Sequence, residues 1–158
     1  PSEFLTLLKR IRKKMPKVAF TTDLIVGFPG EDDRSFKKTY KFIKKAKPSR
    51  VHIFTYSTRE GTRAFDFKDL PPDVKVKKRL KMLQELAKRT ALGYANIFKN
   101  KTVPVLVESN RDKHTNLLTG YTDTYIKVFL DGPDKYFNHI IPSRISEVSE
   151  KGIFAIQS

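Results

Sequence analysis

The feature that most constrains the fold of this chain is a change of hydrophobic period near Lys99. Before it, apolar residues recur at helical spacing, interrupted by two short β-type runs. After it, only short alternating segments separated by turn residues remain. The charge changes at the same place. Residues 1 to 100 carry 25 basic and 10 acidic side chains, whereas residues 101 to 158 carry 7 of each. A coincident break in period and charge marks a boundary between two small folding units.

In the first part, Phe4, Leu8, Ile11 and Met15 make one face of a helix over residues 2 to 15. A strand is expected over Val18 to Val26. The continuous run Leu24, Ile25, Val26 is that of a strand covered on both faces in a parallel sheet. Asp32 or Asp33 can cap a second helix with an inward stripe of Phe36, Tyr40 and Ile43, and Pro48 stops it. Residues 50 to 56, RVHIFTY, form the next strand. Helix, strand, helix, strand implies parallel βα units, although two strands cannot close a barrel. Leu70, Pro71 and Pro72 break the pattern before a long helix with Val76, Leu80, Leu83 and Ala87 on one face and its basic residues exposed.

From Lys101 onward, TVPVLVE, NLLTGYT, TYIKVFL, HIIPSRISEV and GIFAI predict about five strands. This is the signature of a small antiparallel barrel or sandwich. The expected fold is therefore α/β plus all-β. No cysteine is present, so disulfides and thiolate-ligated clusters built from this chain are excluded. His52, His114 and His139 lack the spacing of a metal site. No apolar run approaches the roughly 20 residues of a membrane span, and a cytoplasmic protein is expected. A formal charge of +15 suggests a polyanionic partner, RNA, DNA or an acidic membrane surface, or else lysines that merely solvate helix faces.

Two regions carry candidate chemistry. In TTDLIVGFPGE, Gly27 and Gly30 remove side chains where the backbone turns, and Pro29 stiffens the turn between them. Backbone there could approach a nucleoside, with Asp23 and Glu31 accepting from hydroxyls or an amine. Alternatively, Glu31, Asp32 and Asp33 complement a helix N-terminus. The loop after the second strand holds Arg59, able to grip a phosphate or carboxylate, or simply a surface arginine. No residue set suggests a catalytic triad. In the second part, Tyr121, Tyr125, Lys127, Arg111 and Lys113 are candidate stacking and phosphate-binding groups for single-stranded RNA.

Taken in order, VAFTTDLIVGFPGE, SRVHIFTYSTREGT, KTVPVLVE, LLTGYTDTYIKV and RISEVSEKG resemble the C-terminal half of the radical S-adenosylmethionine methylthiotransferases. The resemblance implies residues 1 to 72 as the end of a TIM-type radical-SAM βα barrel, 73 to 98 as a connecting helix, and 99 to 158 as a TRAM RNA-binding β-barrel. It further implies a parent enzyme with S-adenosylmethionine and two 4Fe-4S clusters that adds a methylthio group to an adenine carbon. RVHIFTYSTREGT and GYTDTYIKV are most similar to the enzyme acting on N6-threonylcarbamoyladenosine at tRNA position 37, in the anticodon loop. The ribosomal protein S12 enzyme and a stand-alone RNA-binding module are the alternatives. Asp23, Gly27, Phe28, Pro29, Gly30, Glu31, Tyr56 and Arg59 match positions bordering the cofactor cavity, and Lys101, Tyr125 and Lys127 match the RNA-binding pattern. The family's CxxxCxxC triplet is absent, so this chain cannot hold the cluster or run the chemistry alone. Unpaired edges of an open barrel segment also predict self-association.

Overall fold

The computed structural model describes residues 2–158 and divides into two compact units. One unit comprises the residues up to Pro16 together with Phe20–Ala91, the other Lys17–Ala19 together with Leu92–Ser158.

The first unit is built from α1 (Ser2–Lys14), β1 (Thr21–Val26), α2 (Asp33–Ala46), β2 (Arg50–Thr55) and the greater part of α3 (Asp73–Ala95). β1 begins three residues later than its sequence suggests. β1 and β2 pair in parallel, with Asp23 opposite His52 and Ile25 opposite Phe54. Side chains alternate across a strand, so Leu24, Val26 and Ile53 share one face. They pack there with Phe36 and Tyr40 of α2 and Val76, Leu80 and Leu83 of α3. α2 starts where the Asp32 carboxylate accepts the Ser35 N–H at 2.6 Å. It ends where Lys47 turns left-handed (φ 48°) and donates its N–H to the Ile43 carbonyl, one residue before Pro48.

The other face of this sheet is bare. Ile25 is 52% exposed and Phe54 53%, and Asp23 and His52 lie exposed beside them. The expectation of a strand covered on both faces is therefore corrected, because the α2 and α3 side chains that pack on Leu24, Val26 and Ile53 lie on one side of the sheet. A second correction concerns α3. Its basic residues are not all exposed: Arg79 is only 4% exposed. It follows Val76 by three residues and precedes Leu83 by four, and so falls on the inward stripe.

In the second unit, β3 (Thr102–Arg111) alternates strictly, with Val103, Val105 and Val107 buried. β4 (Leu118–Thr122), β5 (Lys127–Leu130), β6 (Ile140–Ser149) and β7 (Gly152–Gln157) complete a closed barrel in the order β3-β4-β5-β7-β6. Leu118, Val128, Leu130, Ile145 and Ala155 fill its interior. Tyr94 and Phe98 join the same core, and the Tyr94 hydroxyl donates to the Lys17 carbonyl at 2.7 Å.

The barrel is mixed rather than antiparallel. β5 and β7 run parallel, pairing Phe129 with Phe154 and Leu130 with Ala155. The reason is parity: directions alternating around a closed ring of five strands must coincide at one junction. The boundaries of β4 and β5 are also tighter than the apolar segments suggest. Residues 122 to 126 form a hairpin turn in which Tyr125 donates its N–H to the Thr122 carbonyl and Thr122 donates to the Ile126 carbonyl. No helix among the described residues is long and apolar enough to cross a membrane.

Candidate functional site

At the carboxyl end of β1, Gly27 and Gly30 both take positive φ, 81° and 78°, which a side chain would strain. The turn is closed from within. Glu31 donates its N–H to the Phe28 carbonyl, Gly30 donates its own to the Asp69 carbonyl, and Gly27 donates to a Glu31 carboxylate oxygen at 3.0 Å. The other carboxylate oxygen of Glu31 accepts from Arg79 at 2.8 Å, and the same guanidinium nitrogen also reaches the Glu31 carbonyl. The second guanidinium nitrogen donates to Asp33 at 2.7 Å, and the guanidinium lies over the Phe36 ring. Arg79 thus ties α3 to the β1 turn and to the start of α2. A β-carbon on Gly27 would lie 3.0 Å from both methyls of Val76, so α3 also fills the space that this glycine leaves.

These bonds decide what the turn can offer a ligand. The Gly27 and Gly30 amides are spent inside the protein, and Glu31 is held as a structural acceptor. What stays open is the neighbouring surface. Asp23 is exposed on the bare sheet face, and the Phe28 ring meets Tyr56 edge-on at 5.1 Å and Phe67 at 6.4 Å. Tyr56 is fixed by a bond from its hydroxyl to the Ala64 carbonyl. Pro29 is buried, whereas Arg59 is exposed in the loop beyond β2. Phe28, Tyr56 and Phe67 form an aromatic cluster beyond the strand ends, with Arg59 in the loop after β2, while Asp23 stands further back on the bare sheet face opposite His52. Among the described residues no group of three or more His, Cys, Asp or Glu is placed to hold a metal.

The acids at the start of α2 give a pH prediction. Hydrogen bonding from Ser35 holds Asp32 below the usual value of 3.8, and hydrogen bonding from Arg79 does the same for Asp33. Folded-state values below the unfolded ones mean stability that is fully present above pH 3.8 and lost as pH falls through the folded values. We predict a lower urea midpoint for the helical signal at pH 3 than at pH 6, with a smaller drop in Asp33→Asn. An identical drop in that variant would contradict the assignment.

On the barrel, β3, β4 and β6 present Leu106, Tyr121 and Ile140 outward in register, with Lys127 of β5 opposite Tyr121. Leu106 is 51% exposed and Ile140 65%. With Pro104 and Tyr125 they line an open cleft of about 270 Å³. Tyr125 has φ 60°, unusual for a bulky residue, and the residue is 77% exposed. The structure thus brings Tyr121 and Tyr125 together in the cleft and sets Lys127 beside Tyr121 by register, with its ammonium over the Phe129 ring at 5.6 Å. It does not bring the other three candidates to them. Lys101 is exposed ahead of β3, and Lys113 is exposed in the turn that Asp112 caps. The Arg111 guanidinium is committed to Asp134 and to the carbonyls of Asn116 and Gly132. The apolar floor, Pro104, Leu106 and Ile140, escaped the sequence reading. Its signal is the outward phase of TVPVLVE, where Pro104 and Leu106 stand at positions a solvated barrel fills with polar residues.

No family model matches the chain. Individual relatives do. It is 36% identical over 152 residues to the tRNA-2-methylthio-N(6)-dimethylallyladenosine synthase of Wolbachia pipientis subsp. Culex pipiens (strain wPip), covering 96% of this chain and 34% of the relative. It is 35% identical to the threonylcarbamoyladenosine tRNA methylthiotransferase MtaB of Bacillus subtilis (strain 168), covering 90% and 32%. Against the MtaB of Thermotoga maritima it is 35% identical, covering 99% and 35%. The chain is homologous to the tRNA methylthiotransferases. It spans about a third of the length of these methylthiotransferases. The similarity covers both the β1 turn and the barrel face.

Proposed function

We propose that this chain is the C-terminal portion of a tRNA methylthiotransferase. Residues 1 to 72 are the closing segment of a TIM-type βα barrel, 73 to 98 a connecting helix, and 99 to 158 a TRAM-type barrel that holds tRNA by its anticodon loop. The observation that carries this reading is the match to such enzymes over nearly the whole chain. The bare face of the β1–β2 sheet supports it, since parallel sheets are ordinarily covered on both faces and here one face has no cover. The substrate we favour is N6-threonylcarbamoyladenosine, on RVHIFTYSTREGT and GYTDTYIKV. The dimethylallyl-modified adenosine is the second reading, favoured by the Wolbachia relative.

The clusters of such an enzyme do not fit this chain, which has no cysteine, so no step is assigned to them. S-adenosylmethionine, when bound, supplies the radical chemistry of the parent. Asp23, Phe28 and Tyr56 fit a role in lining one side of its site, Asp23 as acceptor and the rings as an apolar wall. Gly27, Pro29, Gly30 and Glu31, braced by Arg79, fix where that wall stands. On the barrel, Tyr121 and Tyr125 offer faces for unstacked bases and Lys127 a phosphate contact. Apart from a parent barrel, the open strand edges and bare face lead to self-association; a monodisperse monomer in light scattering would argue against this.

The test is an intact-mass measurement of the protein expressed from its native locus. A longer species with the cysteine triplet is expected. A native protein of these 158 residues alone would leave the RNA-binding module as the better reading.

A further inference from the structure

α2 carries Arg34, Lys37, Lys38, Lys41, Lys44 and Lys45, all exposed. Beyond Asp33, which is committed to Arg79 and Lys75, the helix holds no acid. Arg34 feels the Asp32 carboxylate, but among the described residues none of the six forms an ion pair. Their spacing is three and four residues, so the ridge is a series of like-charge neighbours such as Arg34 with Lys38, Lys37 with Lys41, and Lys41 with Lys45. Each such pair disfavours the helix. A solvated face needs no more than a few mixed charges, and this one repels itself along about 16 Å of axis.

We infer that the solvent face of α2 is an RNA phosphate-backbone contact surface of the first unit, additional to the barrel face. This deepens the proposed role with tRNA and rests on it. Side chains at this pitch present a cation every half to one turn, and a nucleic-acid backbone offers dense charge over the same length. An anionic membrane is the poorer partner. Stable membrane anchoring takes an apolar or lipid element beside the basic one, and the apolar face of α2 is sealed in its own core through Phe36, Ile43 and Ala46. The basic face reaches past the helix end as well, where Arg12 of α1 donates to the Lys47 carbonyl.

The experiment compares the 158-residue chain with Lys37→Gln/Lys41→Gln/Lys45→Gln, using unfractionated tRNA as probe over roughly 50 to 200 mM salt. The slope of log affinity against log salt should flatten by about 2 to 3 in the triple variant, at about 0.7 to 0.9 for each phosphate no longer neutralised. Affinity at the lowest salt should fall about tenfold or more. The melting temperature should hold or rise, because like-charge pairs are removed, and this shows that the helix is intact. Tyr125→Ala should weaken binding with the slope unchanged. If tRNA binds and the triple variant keeps the wild-type slope, this surface is not a phosphate contact, while the tRNA reading stands. If the unaltered chain binds no tRNA, both fall. Tighter binding to phosphatidylserine vesicles than to tRNA, abolished in the triple variant, would overturn the choice of partner.

Discussion

Replacing Arg79 with alanine is expected to destabilise the first unit by about 3 kcal/mol, the lower end for removing one partner of a buried ion pair. The cost arises mainly from what stays behind. The Glu31 side chain is only 14% exposed and would keep just its bond from the Gly27 amide, while its carbonyl would lose a donor. Asp33, two-thirds exposed, would rehydrate and contribute little. Arg79→Lys should recover only part, because an ammonium cannot reproduce the planar fork that serves Glu31 and Asp33 together. Urea unfolding followed by helical circular dichroism reads this unit, which holds α1, α2 and most of α3. A loss below about 1 kcal/mol would mean that the turn does not depend on this clamp.

Gly120→Ala should damage the second unit to a similar degree, about 3 kcal/mol, the upper end for ordinary overpacking. A β-carbon there would stand 2.6 Å from the Leu106 carbonyl oxygen and 2.7 Å from a Val105 methyl. The first of these is backbone and cannot rotate away, so β3 and β4 would have to separate where Val107 faces Gly120. Gly93→Ala is the natural comparison. Nothing lies within 4 Å of its β-carbon, and it sits in α3, where alanine should gain about 1 kcal/mol. Hydrogen exchange at the β3–β4 amides should accelerate in the first variant and not in the second. Unchanged protection in Gly120→Ala would show that the barrel relaxes around the extra methyl.

The elements that could be read from sequence are those with strong periodicity. The stripe of Phe36, Tyr40 and Ile43 and the alternation of Val103, Val105 and Val107 each admit one fold of the backbone. Arg79 was legible by position, three residues after Val76, yet the rule that cations face water hides it. Only the tertiary approach of Glu31, distant in sequence, reveals the exception. The same contact turns Glu31 from a candidate ligand group into a brace. Tyr125 could not have been foreseen in its left-handed conformation, which the Thr122 to Ile126 turn imposes. The mixed barrel, by contrast, follows from counting strands alone. Ile25 is the most instructive residue. It is apolar at a position suited to a covered face, and here that face is open.

The most direct test of the tRNA methylthiotransferase reading is nucleoside mass spectrometry of tRNA from cells of the source organism with the locus intact and disrupted. One 2-methylthio-modified adenosine, the threonylcarbamoyl form by the favoured reading, is expected to disappear on disruption while its unmethylthiolated precursor accumulates. Unchanged levels of every methylthio-adenosine would contradict the methylthiotransferase reading.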